Sequence, residues 1–448
     1  MVKNNVSNDM TQGNTGSILI KFAIPMMLSG IFQQLYNMMD SIVVGKYDGF
    51  NALAAVGASY PITMLFISIA MGGAIGCSVV ISQIFGTGDY VKMKTAVSTA
   101  VLSIVTIALI TTLFGVLFCN SMISLLGTPD DIFQSAAAYL KIYTYGIFFL
   151  FLYNITTSIF NGIGDSRTPL YFLIFSSCLN IILDIIFVRN LQMSVEGVAW
   201  ATVIAQGSAS ILAFTTLMLR LKKIELKEQF TYFDRSILQN MIRVAIPSIL
   251  QFSTVAIGQL LVQVLVNSFG AVVIAGYAAA IKIDSFFKVP LQSMGTAVSN
   301  FTAQNYGAKK KERILEGYQS AFKAMILYCI VATSIVYLFG DILIGLFDNG
   351  SAGDGVVSVG LGYMKIVSPF YIVFILMMLG NGVLRGTSNM KGFVISTAID
   401  LGLRVGLSFL LVGVMGYYAM WWAIPTGWLV GGIIATGICK KSVFVREG

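Results

Sequence analysis

The sequence predicts an all-α polytopic membrane protein of twelve transmembrane helices, built as two parallel six-helix repeats. Three observations carry this. The 448 residues are 56% hydrophobic and only 11% charged, with a mean hydropathy of +0.83, whereas soluble domains carry roughly 25% charged residues. Apolar runs long enough to cross a bilayer recur twelve times. Short motifs also recur at nearly one spacing. Ala23-Ile24-Pro25 and Ala245-Ile246-Pro247 lie 222 residues apart, and Ser82-Gln83-Ile84-Phe85-Gly86 answers Ala303-Gln304-Asn305-Tyr306-Gly307 at 221. Tyr139-Leu140-Lys141-Ile142 answers Tyr363-Met364-Lys365-Ile366 at 224, as Asn161-Gly162 answers Arg385-Gly386. An even number of spans per half makes the repeats parallel, related by a pseudo-twofold axis along the membrane normal. Transporters rock such halves about a site near the midplane.

Residues 1–15 are polar and lack the basic, apolar, small-residue order of a cleaved signal. The first run, 16–46, is therefore expected to direct insertion; it carries Pro25, whose ring and missing amide donor kink a helix, and Asp40 near its far end. Runs 52–85 and 92–118 follow, then 131–160 after the external Asp130-Asp131, 167–189 between Arg167 and Arg189, and 195–220. Residues 221–236 form the longest polar stretch and separate an N-terminal lobe at 16–220 from a C-terminal lobe at 237–441. The second lobe contains runs 237–267, with Pro247, then 271–306, 312–340, 355–386, 390–414 and 417–441, before a tail at 442–448. With the N-terminus inside, 20 of the 28 basic residues fall on inside loops and only Lys46 and Arg189 outside. The positive-inside rule then places both termini in the cytoplasm. The net charge of +8 is mostly topology and implies no nucleic-acid partner. Five cysteines, none close to another, and no histidine give no disulfide framework, no metal site and no imidazole base. No cofactor and no catalytic residue is expected.

The stretch Asn180-Ile-Ile-Leu-Asp184 lies inside the fifth run. A carboxylate within a lipid-embedded helix costs a few kcal/mol, about 2.5–3.5 at its centre, so it persists where it pairs, faces water or does work. Asp184 has no basic residue within one turn, while Asn180 shares its face and offers an amide that donates to a carboxylate or accepts from a carboxylic acid. This is a poor salt bridge and a good proton or ion site.

Several stretches resemble the multidrug and toxic compound extrusion (MATE) family: Phe22-Ala23-Ile24-Pro25, the Asp40 helix, Leu53-Ala54-Ala55-Val56-Gly57, the paired Gln-x-x-Gly signatures ending at Gly86 and Gly307, and Asn161-Gly162-Ile163-Gly164-Asp165-Ser166-Arg167-Thr168-Pro169. The resemblance covers the whole chain and implies a V-shaped two-lobe bundle and cation-coupled efflux. In the branch named for a DNA-damage-inducible member, the N-terminal lobe holds two Asp, an Asn and a Thr. The matching positions are Asp40, Asn180, Asp184 and Thr202, with Tyr36, Tyr139 and Asn154 as further carry-overs toward the substrate cavity. Another bacterial branch uses acids of the seventh and tenth helices, which this chain lacks between Val244 and Lys282 and between Gly355 and Gly386.

Helix rise gives depth independently of family. Asp40 lies six residues before Lys46, Asp184 five before Arg189 and Thr202 six after Glu196, so each is ~7–9 Å below the external surface, with Asn180 ~6 Å deeper. Desolvation and like charge both oppose ionising two neighbouring acids, so the pair is expected to take up and release a proton. The remaining buried charges can neutralise each other at one-turn spacing, as Asp284 with Lys288 and Asp400 with Arg404. Lys141, if it approached Asp40 or Asp184, would weaken the unpaired-acid argument.

The leading expectation is a secondary antiporter in a bacterial cytoplasmic membrane. It exchanges protons, with sodium as the alternative ion, for small organic cations or amphipathic drugs, and works as a monomer in the bilayer. A lipid-linked glycan flippase of similar architecture is the second reading; such proteins usually carry extra helices and a basic cleft. A membrane-embedded enzyme is the third, but only the external Asp130-Asp131 is an adjacent acidic pair and no nucleotide motif occurs.

Overall fold

The computed structural model describes residues 9–47, 50–225, 228–346 and 354–444. Its helices are α1 (Thr15–Tyr47), α2 (Phe50–Gly86), α3 (Tyr90–Leu125), α4 (Asp130–Gly162), α5 (Arg167–Asp184) and α6 (Ser194–Lys222), followed by α7 (Arg235–Asn267), α8 (Ala271–Gly307), α9 (Lys311–Gly345), α10a (Asp354–Val367), α10b (Tyr371–Gly386), α11 (Met390–Met415) and α12 (Tyr418–Cys439). No strand occurs among the described residues. With α10a and α10b counted as one span, the helices match the twelve apolar runs.

Among the described residues, three stretches depart from regular α geometry, one of them the π turn Lys440–Phe444 that closes α12. The turn Ser368–Phe370 between α10a and α10b is 3-10, where Pro369 supplies no amide donor. Directly after Asp184 the chain runs on as a π-helical turn, Ile185–Asn190, a geometry that is rare and concentrated at functional sites. Eleven helices have the length and apolar composition of a membrane span on their own. The twelfth, α8, carries Lys282, Asp284 and Lys288 in its middle, and they dilute its hydropathy.

The internal repeat extends to atomic packing. A Cβ built on Gly162 of α4 would lie 3.1 Å from the Ser78 carbonyl of α2, and one on Gly386 of α10b 2.5 Å from the Ser299 carbonyl of α8. These pairs keep the spacings seen in the motifs, 224 for the glycines and 221 for the serines. Small residues let backbones approach where lipid offers no hydrophobic drive between helices, so Gly is required at the Gly386 crossing and a larger residue at Gly162 would press on the Ser78 carbonyl. Elsewhere α4 packs on α2, α3 and α6, and α10b on α8 and α12.

Packing divides the chain into two units, residues 28–250 and residues 10–27 with 251–448. The polar stretch at 221–236 marks the boundary of the repeat. The boundaries of the packing units fall inside α1 and α7, three or four residues past Pro25 and Pro247.

Candidate functional site

In the first unit, α1, α5 and α6 bring one polar cluster together. Asn180 and Asp184 are 1% and 0% exposed. The Asn180 amide nitrogen, in the orientation that satisfies its neighbours, donates to Asp40 Oδ1 at 2.9 Å and Asp184 Oδ2 at 3.1 Å. The other end of the amide faces Thr202 Oγ1 at 3.5 Å, and Tyr36, one turn before Asp40, donates to the same oxygen at 3.4 Å. Asp40 is also within hydrogen-bonding reach of Asp184 and Tyr36, and Tyr139 of α4 stands close to both carboxyls. Two carboxyl groups make a hydrogen bond with each other only when one of them carries a proton. Asp184 Oδ1 receives no donor from a protein side chain, which leaves it free to share one. Below the cluster, Gln33, Tyr36, Tyr153, Ser176, Ser177, Thr202 and Gln206 contribute to a cavity of about 30 Å³. That is enough for a water, and the buried Ser177 hydroxyl has no protein partner.

Lys141 does not enter this cluster. It is exposed and lies toward Cys119 of α3, so Asp40 and Asp184 meet an amide, hydroxyls and each other. Asn154 is four turns along α4 from Tyr139, and its amide donates to the Leu150 carbonyl at 2.8 Å. Neighbouring Tyr153 lines the cavity instead.

The two buried acids of the second unit, Asp284 and Asp400, are neutralised. Asp284 is 0% exposed and accepts from Lys288 Nζ at 2.6 Å, Tyr363 Oη at 2.9 Å and Tyr371 Oη at 2.8 Å. Asp400 accepts from Arg404 at 3.0 Å. Both pairs have the one-turn spacing expected from the sequence.

The MatE family profile matches residues 25–186 and again 247–410, starting points that repeat the 222-residue offset. The chain belongs to the MatE family. Probable multidrug resistance protein YpnP of Bacillus subtilis is 26% identical over 90% of this chain and 94% of its own length. Multidrug export protein MepA of Staphylococcus saprophyticus is 22% identical over 95% and 92%. A solved MATE structure in complex with MaL6 superposes with a TM-score of 0.92 at 23% identity, over 99% of both chains. An outward-facing multidrug resistance MATE family transporter gives 0.90 at 23%, over 97% of both. This MatE chain is thus a multi-pass membrane transporter, and its relatives are transporters, not enzymes.

The sequence reading missed several residues that helical spacing was able to supply: Ser176 and Ser177 precede Asn180 by about one turn, Gln206 follows Thr202 by one, and Gln33 precedes Tyr36 by one. At the end of α4 a further group forms around Asp165, which accepts from the Thr168 hydroxyl at 2.6 Å, from the backbone amides of Arg167 and Thr168, and from the Arg220 guanidinium. Partial burial opposes its charge, yet the Thr168 donors and Arg220 outweigh this and hold the carboxyl below the usual range.

Proposed function

We propose that this MatE chain is a secondary antiporter exporting cationic or amphipathic organic compounds in exchange for protons. It does so by alternating access across a bacterial cytoplasmic membrane, with both termini inside and the monomer as the working unit. Asp40, Asp184, Asn180 and Thr202 are the coupling residues, as in the DNA-damage-inducible branch. The observation that carries this reading is the shared Asn180 amide: the buried Asp184 carboxyl and the half-buried Asp40 carboxyl meet on one neutral donor, with no basic side chain among their described neighbours. The protonated pair is neutral and suits a dry lobe, and the deprotonated pair favours a cation. Proton and substrate need not share an oxygen, since a ligand shifts an equilibrium through its differential affinity for the two states. The multidrug names of YpnP and MepA support the substrate class.

The test is proton release from purified protein on addition of a lipophilic organic cation such as tetraphenylphosphonium, scanned across pH with and without sodium. Release is expected from the wild-type protein and is lost in the Asp40→Asn, Asp184→Asn double variant, which still elutes as folded protein. Unchanged release in that variant would overturn the assignment. Dependence on sodium alone would make sodium the coupling ion.

A further inference from the structure

A second orphaned polar group lies on α10b, apart from the pairs around Asp284 and Asp400. Asn381 and Arg385 sit one turn apart and are 2% and 8% exposed. Both face α11: Ser396 Oγ donates to Asn381 Oδ1 at 2.6 Å, and the Arg385 guanidinium carbon lies 4.9 Å from the centroid of the Phe393 ring. Arg385 Nη2 donates to Gln251 Oε1 of α7 at 3.2 Å, a neutral amide. Arg385 Nε and Asn381 Nδ2 are buried with no acceptor.

The unmet atoms are therefore donors, beside a full positive charge. A water in this place would have to turn its own two hydrogens toward the second lone pairs of Asn381 Oδ1 and Gln251 Oε1 and would leave the guanidinium charge uncompensated. An anion needs only donors. The end of α10b carries a partial negative charge that favours a nearby cation, but this gives Nε no acceptor. Nor does the repeat demand a charge here, since the residue equivalent to Arg385 in the first half is the neutral Asn161. Arginine at this position is chemistry specific to the second lobe, and its planar fork suits an oxyanion or halide better than a lysine would.

We propose that Arg385 and Asn381 bind a small monovalent anion through their unpartnered donors, Arg385 Nε and Asn381 Nδ2, one turn apart on α10b. It is either a free inorganic anion such as chloride or the carboxylate of an organic solute. The proposal stands whether or not the Asp40 and Asp184 pair couples to protons.

The experiment follows the melting of the purified full chain in detergent while chloride, or separately benzoate, replaces sulfate at constant ionic strength. A saturable rise in melting temperature is expected. A rise with chloride alone identifies a free halide, and a rise with benzoate identifies a solute carboxylate. Arg385→Gln weakens the midpoint by about tenfold or more, the loss of one charge-assisted contact. In case that variant folds poorly, Asn381→Asp provides an independent readout. It places a carboxylate one turn from Arg385, so this variant should melt higher than the wild-type protein in sulfate and no longer respond to either anion. No saturable rise in the wild-type protein, or a wild-type response in Asn381→Asp, overturns the site.

Discussion

In the first lobe Asp40 and Asp184 share the single amide of Asn180, whereas in the second Asp284 and Asp400 are met by Lys288 and Arg404 at 2.6 and 3.0 Å. The scaffold around them is the same. Tyr139 and Tyr363 are 224 residues apart, and each stands beside the acid of its own lobe. Asn180 and Arg404 are also 224 apart, so one helix face presents a neutral amide in the first lobe and a guanidinium in the second. A duplicated frame thus carries opposite electrostatic solutions. Where a cation closes the pair, the acid's charge is compensated by a neighbour on its own helix. In the first lobe only an amide and hydroxyls are offered, and no counter-charge stands among the described neighbours. Function belongs to side chains grafted on the fold, not to the fold itself.

The comparison breaks most visibly at Asp284. Asp284→Asn strips the acceptor from a Lys288 that is itself mostly buried, and losing one partner of a buried pair costs about 3–5 kcal/mol. The expected outcome is a large drop in recovered monodisperse protein and in melting temperature, while Asp184→Asn in the first lobe, which removes no counter-ion, folds normally. Equal recovery of the two variants would mean that the lobes do not differ in the way described. Asp400→Asn sits lower on the same scale, about 3 kcal/mol, because Asp400 is met by Arg404 while Asp284 also accepts from Tyr363 and Tyr371. Its folded fraction should still transport; normal abundance with abolished transport would move Asp400 into the coupling site.

Smaller effects sharpen the first lobe. Asn180→Ala removes the donor common to both carboxyls, and Thr202→Ala removes the hydroxyl behind it. A hydrogen bond to a charged group, as from Asn180, is worth roughly 1.5–3 kcal/mol and a neutral one, as between Thr202 and the Asn180 amide, roughly 0.5–1.5, so a displaced pH optimum of transport with activity retained is expected, larger for Asn180 than for Thr202. An unchanged pH profile in Asn180→Ala would remove the amide from the mechanism.

Most of the frame was legible in the sequence, because hydropathy and repeat spacing are one-dimensional signals. The twelve runs, the 221 to 224 offsets and the one-turn pairs at Asp284 and Asp400 required no knowledge of which helices touch. The π turn after Asp184 carried no such signal, since it depends on how α5 and α6 pack. Lys141 was undecidable for the same reason: its helix and depth were readable, but its direction, toward Cys119 and away from the acids, was set by the face that α4 buries. Arg385 was visible only as half of a repeated motif, and Asn381 not at all. Their missing acceptors appear once α7 and α11 are in place.

The smallest contrast is just past the C-terminal ends of α4 and α10b, where Asp165 caps α5 and Asn389 caps α11. Asn389 accepts from the Gly392 amide at 3.2 Å, and its own amide reaches Ser442 at 3.5 Å, whereas Asp165 does the same capping and also pairs with Arg220, two residues out of register with Ser442. The neutral version in the second lobe implies that Asp165→Asn preserves the cap and loses the ion pair and the bond from the Thr168 hydroxyl, about 1 kcal/mol for a partly exposed pair. The sign of its pH dependence follows from the lowered native value. A carboxyl whose value is below that of the unfolded chain, about 3.9, contributes its full stabilisation above that pH and loses it as pH falls through the native value. Melting of the wild-type protein minus that of Asp165→Asn should therefore be positive and constant from pH 5 to 8 and shrink toward zero below about pH 4. A difference that grows on acidification would mean that Arg220 is held by something other than the Asp165 carboxylate.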